Sequence, residues 1–191
     1  MNMRKTLLAV ATPLVLMSSL SSFTALADEG TPPVSVTVKG GTIKFVGKMV
    51  DAPCAVDIPY DGQITDLGQY RVASLSKEPG ATSVGKNFNI KLVDCSVDTM
   101  KNVQVKFSGS SAKGSNTTLE LDGGSNAAQN VGIQILRNGE PVVVDGSGKT
   151  ASIALEKGEN NLAFQAQFIS LDTDVKPGAA NGSVDFYLTY L

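Results

Sequence analysis

Side chains that could do chemistry are few in this sequence. Its 191 residues include no histidine and two cysteines, Cys54 and Cys95. Catalytic triads, common zinc sites and most neutral-pH general bases use histidine, and two thiols cannot form a four-thiolate metal site. The formal charge of −2 also argues against a nucleic-acid partner. We therefore expect no enzymatic activity, no metal, no cofactor and no bound nucleic acid.

Serine and lysine come closest to a catalytic motif. The pattern Ser-x-x-Lys occurs at Ser74–Lys77, Ser83–Lys86 and Ser110–Lys113. In penicillin-binding enzymes this pattern works together with Ser-Asp-Asn and Lys-Thr-Gly, and neither companion is present here. The Gly-x-Ser-x-Gly elbow of the hydrolases is missing as well. A periplasmic hydrolase is therefore a weak alternative.

The first residues have the pattern of a secretory signal. Arg4 and Lys5 precede an apolar run from Leu7 to Leu20, and Ala25-Leu-Ala27 fits the small-x-small cleavage site. The apolar run is too short for a membrane-spanning helix. We expect residues 1–27 to be a signal peptide, with cleavage after Ala27 and export of the rest.

Export determines how the two cysteines are interpreted. In an oxidising compartment a cysteine pair is normally a disulfide, and one closing a loop of this length contributes about 4 kcal/mol. A reactive thiol would need basic neighbours, whereas Asp51, Asp57 and Asp94 flank the pair. The sequence therefore predicts a structural disulfide between Cys54 and Cys95.

Short runs of alternating apolar residues, separated by Gly, Asn, Asp and Ser, fill the exported chain. This pattern is typical of a β-sandwich, and an immunoglobulin-like sandwich of about six or seven strands is the natural candidate. The runs are Gly41–Val50, Phe88–Cys95, Val103–Phe107, Val131–Leu136, Pro141–Val144, Asn161–Phe168 and Ser183–Tyr190.

Three connecting segments have more specific expectations. Asn138-Gly139 is a strong signal for a type I′ hairpin. Residues 108–130 are small and polar, which predicts a loop with at most one short strand at Thr118–Leu121. Residues 67–75 fit a short strand followed by a turn or a brief helix.

Both ends of the exported chain carry apolar rows that need a partner. Near the N-terminus Val34, Val36 and Val38 alternate with polar residues before Gly40-Gly41, behind a polar lead at Asp28–Pro33. At the other end one strand face consists of Val184, Phe186, Leu188 and Tyr190. An uncovered apolar strand recruits partners, so each row either packs within its own domain or pairs with another molecule.

These pieces together resemble a major pilin of the bacterial chaperone–usher pathway, similar to type 1 fimbrial subunits. The resemblance covers the whole precursor, including the signal ending at Ala27, and Gly178 is the fourteenth residue from its end, as in the family pattern. Two departures are Leu191 as the last residue and an unusually valine-rich N-terminal extension. The matching segments are Val38–Phe45, Gly47–Val56, Asp66–Gln69, Val84–Cys95, Asn130–Leu136, Phe164–Phe168 and the alternating C-terminal strand.

The resemblance implies an all-β pilin fold, an incomplete immunoglobulin-like sandwich that lacks its final strand. The missing strand would leave a groove beside the C-terminal strand, filled first by a periplasmic chaperone and then by the extension of the next subunit. The expected division is a signal peptide at 1–27, a donor-strand extension at 28–45 and a pilin domain at 46–191. The donor residues would be Val34, Val36, Val38, Gly40, Gly41, Ile43 and Phe45, and the chaperone-binding residues Gly178, Val184, Phe186, Leu188 and Tyr190.

The row of Val34, Val36 and Val38 is the first choice for the donor side chains that enter the groove, and each buried valine contributes about 1.5–3 kcal/mol. A slip of one residue would use Ile43 and Phe45 instead. Gly40 or Gly41 should mark a point where the groove leaves no room for a side chain.

On this interpretation the protein is a fimbrial shaft subunit that supports cell adhesion. It would pass through the periplasm and assemble into extracellular fimbriae on the bacterial surface. Its partners would be other pilin subunits, the chaperone, an outer-membrane usher and a tip adhesin or adaptor, and basic chaperone residues would anchor the carboxylate of Leu191. The alternatives are a minor or adaptor pilin of the same system and a secreted carbohydrate-binding β-sandwich. The lectin signal is poor because the chain has no tryptophan and four tyrosines.

Overall fold

Nine strands and one single-turn helix form the part of the chain described by the computed structural model, residues 35–191. The expected signal peptide, the lead Asp28–Pro33 and Val34 lie outside these residues. In chain order the elements are β1 (Ala55–Val56), α1 (Val72–Leu75), β2 (Lys86–Cys95), β3 (Asn102–Ser108), β4 (Thr118–Leu119), β5 (Val131–Arg137), β6 (Glu140–Pro141), β7 (Ile153–Ala154), β8 (Gly158–Ser170) and β9 (Asp185–Tyr190).

The strands form two antiparallel sheets. The larger sheet has the order β1-β2-β8-β5-β4, with β6 also paired to β5, and the smaller has the order β7-β3-β9. These sheets, with one single-turn helix, confirm the all-β prediction. Within residues 35–191 no helix is both long enough and apolar enough to cross a bilayer.

The core lies between the two sheets. In β3 the side chains of Val103, Val105 and Phe107 are buried and alternate with polar residues. The ring of Phe107 meets Phe164 of β8 edge-on, with the ring centroids 5.2 Å apart. Because this contact joins the smaller sheet to the larger one, the architecture is a sandwich, as predicted.

The hairpin between β5 and β6 has the predicted turn. Asn138 and Gly139 have φ angles of 54° and 85°, and Arg137 pairs with Glu140 across them. Two central residues with positive φ define the type I′ turn, whose twist matches the flanking strands. Here local sequence determines local structure.

The prediction of a strand over Gly41–Val50 is wrong. Residues 35–54 contain neither strand nor helix, and the large apolar side chains between Val36 and Val50 are exposed. A strand is stabilised by hydrogen bonds to a neighbouring strand, and an alternating pattern cannot supply that neighbour.

Smaller differences between the predicted and observed strands also depend on which neighbours the backbone bonds to. The strand expected at Pro141–Val144 ends at Pro141, because Val144 bonds instead to Asn116 and Gly109 in two loops (2.8 and 2.7 Å). The long loop carries its one short strand, β4, and residues 67–75 contain the brief helix α1 with no strand before it. The two strands that the sequence did not predict, β1 and β7, have two residues each.

Candidate functional site

The C-terminal strand β9 forms an edge of the smaller sheet. Six residue pairs join it to β3, from Val103 opposite Tyr190 to Ser108 opposite Asp185. Among the described residues β9 has no strand on its other side, whereas β2, β3, β5 and β8 each pair, at least in part, with strands on both sides. A six-residue edge with free backbone donors and acceptors is a template for a further strand.

The inward face of β9 is incompletely covered. Val184, Phe186, Leu188 and Tyr190 pack against the core but stay half-buried. Their neighbours in β3 are fully buried, with Val103 and Val105 at 0% exposure. The structure therefore brings the four predicted residues into one half-buried apolar row beside the unpaired edge of β9, and we call this row together with that edge the β9 groove.

The hydroxyl of Tyr190 lacks a hydrogen-bond partner within the described chain, although it is buried. Burial also raises the pKa of the Tyr190 phenol, since an apolar environment disfavours its charged form. A buried donor without a partner costs about 1–3 kcal/mol. This end of the β9 groove would gain from any strand that brings an acceptor.

A cavity of about 430 Å³ lies near the segment that leads into β9. Its walls are largely apolar, and the ring of Tyr70 meets Phe168 edge-on there at 5.7 Å. Sequence reasoning missed this cavity, and the apolar residues between Leu67 and Leu75 were the available signal. The lining includes Tyr70, Val72, Leu75, Phe168, Val175 and Ala180.

Gly178 also lines this cavity, where two chain segments cross. A Cβ on Gly178 would overlap the backbone of Asn126, Ala127 and Ala128. The next residue, Ala179, forms a parallel bridge with Ala127. Gly178 thus permits the close backbone contact that fixes the approach to β9.

The predicted donor residues lie in the stretch that has no secondary structure. Val36, Val38, Ile43 and Phe45 are all exposed, Phe45 by 90%. Gly40 has open space around it, and Gly41 has a φ of 145°, which favours glycine. The role of this stretch as a donor stays a prediction.

A disulfide joins Cys54 to Cys95, as predicted. Both residues are buried, at 2% and 3% exposure. Next to the bridge the Ser96 amide donates to the carbonyl of Pro53 at 2.9 Å. The disulfide thus ties the chain just before β1 to the end of β2.

Acidic side chains surround the head of β9. Glu120, Asp122 and Asp185 line a second cavity of about 500 Å³ together with Ser183. The Asp122 amide donates to the carbonyl of Asn181 at 2.8 Å, which fixes this loop beside the approach to β9. Within residues 35–191 no group of three His, Cys, Asp or Glu side chains is arranged to hold a metal ion.

Comparison with known proteins gives consistent matches along most of the chain. The model of the family described as "Fimbrial protein" matches residues 43–191. The type-1 fimbrial protein A chain of Escherichia coli K12 is 38% identical over 175 residues, covering 90% of this chain and 92% of that protein. The type 1 fimbrial subunit of Klebsiella pneumoniae is 39% identical, with the same coverage.

Solved structures agree with the sequence matches. A chaperone–usher pilus studied for the uncoiling of its rod superposes with a TM-score of 0.70 at 27% identity, covering 82% of this chain and 99% of that one. The P pilus rod subunit PapA gives a TM-score of 0.63 at 26% identity, covering 73% and 100%. Both similarities extend over nearly the whole of the matched proteins.

Proposed function

This chain belongs to the fimbrial protein family, and on that premise we propose that it polymerises into the shaft of a pilus by donor-strand exchange. Each subunit accepts a strand from one neighbour in its β9 groove and gives its own N-terminal segment to another. A contact of this kind uses two different surfaces, so repetition produces an open filament. The role is structural and non-enzymatic, and the filament supports adhesion of the cell.

The incomplete pairing of β9 is the observation that supports this proposal most strongly. A six-residue edge strand and a half-buried row of four apolar side chains lie together on one surface. An inserted strand supplies main-chain hydrogen bonds and fills the spaces between alternate side chains. The β9 groove is therefore suited to a strand from another copy of the chain.

The exposed side chains favour one of the two donor rows. Continuing the row of Val36 and Val38 past the glycines would place Thr42 and Lys44 in the apolar groove, and burial of an unpaired charge is costly. The alternative row contains Ile43, Phe45 and Met49, which are 80%, 90% and 99% exposed. It also includes Gly41 and Gly47, where a donor backbone can approach bulky groove residues. We therefore place Ile43, Phe45 and Met49 in the groove.

The same surfaces also suggest partners other than shaft subunits. Before assembly a strand from a periplasmic chaperone covers the β9 groove, because an exposed apolar edge would otherwise aggregate. An outer-membrane usher then exchanges that strand for a donor segment, and an adaptor or tip adhesin caps the first subunit. We divide the chain into a signal peptide at 1–27, a donor extension at 28–45 and a pilin domain at 46–191, and the donor row continues across the last boundary to Met49. A compact unit at Lys44–Leu191 supports the proposed pilin domain.

A minor or adaptor pilin is the second candidate, because such a subunit also carries a groove and a donor segment. Electron microscopy of cells with and without the gene separates the two roles. Loss of the long surface fibres supports the shaft role, and unchanged fibres would assign the chain to a minor position.

Donor-strand exchange itself needs a second experiment. A chain lacking residues 28–49 should still bind a synthetic peptide of residues 38–50 but should not lengthen fibres. Fibre growth from this truncated chain would overturn the mechanism. Removal of the polar lead, residues 28–33, alone serves as the control for a deletion that leaves the donor row intact.

A further inference from the structure

Charge is distributed unevenly along the β9 groove. At the head, where β9 begins, Glu120, Asp122 and Asp185 form an acidic rim. Lys176, a basic residue on the approach to β9, is already paired with Asp174 at 2.6 Å. The head of the groove is therefore negative.

The remainder of the same sheet carries the opposite charge. Lys106 lies opposite Tyr187 and places its ammonium 4.8 Å from the centroid of that ring. Lys101 immediately precedes β3, whose first residues pair with the end of β9. Beyond the negative head of the groove, Lys106 therefore lies on the outer face of the same sheet, and Lys101 lies in the chain next to the foot.

The donor segment carries a matching charge. In the row chosen above, Ile43, Phe45 and Met49 enter the groove, so Lys44 and Lys48 point to the opposite face, since side chains alternate along a strand. Both lysines belong to the C-terminal half of the donor. An antiparallel donor would bring that half to the head of β9, and a parallel donor would bring it to Lys106 and Lys101.

We infer that the charged rim of the β9 groove selects the direction in which the donor strand of a second copy enters. Glu120, Asp122 and Asp185 attract Lys44 and Lys48, while Lys101 and Lys106 oppose the reversed strand. Rim charges of this kind act mainly on the rate of association and on register. The inference rests on the donor-strand function proposed above and specifies residues that control it.

Association of peptides with the full-length subunit tests this inference. The probe is a synthetic peptide of residues 38–50, and its rate of binding is measured by stopped-flow fluorescence of a label on the peptide. At 20 mM salt the K44E/K48E peptide should bind about tenfold more slowly than the parent. At 0.5 M salt most of this difference should disappear, because salt screens exposed charges.

Two matched changes separate direction from total charge. A V38E peptide adds a negative charge on the other side of Gly40-Gly41, on the same outward face as Lys44 and Lys48 but away from the acidic rim, and should not bind more slowly. The subunit variant Asp185→Lys should slow the parent peptide and restore part of the rate of a K48E peptide. Equal rates for the parent and K44E/K48E peptides at low salt, or failure of this charge exchange, would overturn the inference.

The direction of the bound peptide relative to β9 can also be observed directly. A nitroxide on residue 50 of the bound peptide should broaden the amide signals of residues 181–185 and leave those of 101–103 sharp. The reverse pattern would contradict an antiparallel donor selected by the rim. If the parent peptide does not bind at all, the donor-strand function fails instead, so the two failures are distinguishable.

Discussion

Val103 and Tyr190 are cross-strand partners in the β3–β9 ladder, yet Val103 is fully buried and Tyr190 stays half-buried. Two residues that pair within one sheet differ in this way because β3 has a strand on both sides at that point and β9 has one. The difference between these partners shows which side of the sandwich is incomplete. It also indicates where a further strand would add most to stability.

The row of donor side chains can be determined by paired substitutions. Phe45→Asp should abolish fibres, because a carboxylate would be buried without a partner in an apolar groove. Val38→Asp should leave fibres largely intact. Electron microscopy and subunit levels in the periplasm are the measurements. Fibres that survive Phe45→Asp and disappear with Val38→Asp would assign the donor to the valine row.

Tyr190 should make the subunit sensitive to alkaline pH. Its folded-state pKa is raised by burial, so its contribution to stability is complete below the ordinary tyrosine pKa of about 10 and is lost as the pH rises through the folded-state value. Tyr190→Phe should reduce the loss of stability above pH 10 in urea unfolding. Tyr187→Phe, on the exposed face of β9, is the control. Parallel pH profiles for the parent and Tyr190→Phe would contradict the prediction.

Gly178→Ala should destabilise the domain by about 1–3 kcal/mol, the range typical of overpacking. The added methyl group would overlap the backbone at Asn126–Ala128 and displace the segment that leads into β9. Thermal unfolding and fibre yield measure the effect. Gly124→Ala provides a matched control, since its added Cβ meets open space. A Gly178→Ala subunit as stable as the control would show that the backbone contact at residue 178 adapts without loss of stability.

The disulfide should account for a large part of the stability. Cys54→Ser or Cys95→Ser should lower the free energy of unfolding by about 2–4 kcal/mol, because the bridge restricts the unfolded chain. Periplasmic subunit levels should fall with it, since a sandwich without its last strand has little stability to spare. The double substitution distinguishes loss of the bridge from a free thiol. Normal periplasmic levels of all three variants would show that the disulfide does not contribute this stability.

Local patterns in the sequence were sufficient for much of the fold. The alternation in Phe88–Cys95 and Val103–Phe107 predicted which faces are buried, because side chains in any strand alternate with a period of two. Asn138-Gly139 predicted its turn because few other pairs adopt two positive φ angles. The cysteine pair, taken with the export signal, predicted the bridge. The family, with its fold, followed from the order and spacing of these pieces.

Other features depend on residues far apart in the sequence. Gly41–Val50 has a strand pattern without forming a strand, and Tyr190 lies in an ordinary strand that becomes a sheet edge. The cavity beside Tyr70 exists because segments around residues 70, 128, 168 and 178 converge there. Alternation specifies which face of a strand is apolar, but hydrogen bonds to a neighbour decide whether the strand forms and whether its other side stays open. That neighbour is chosen by packing over the whole chain, so the tertiary structure, and not the alternation in the sequence, decides that β9 is paired on one side only.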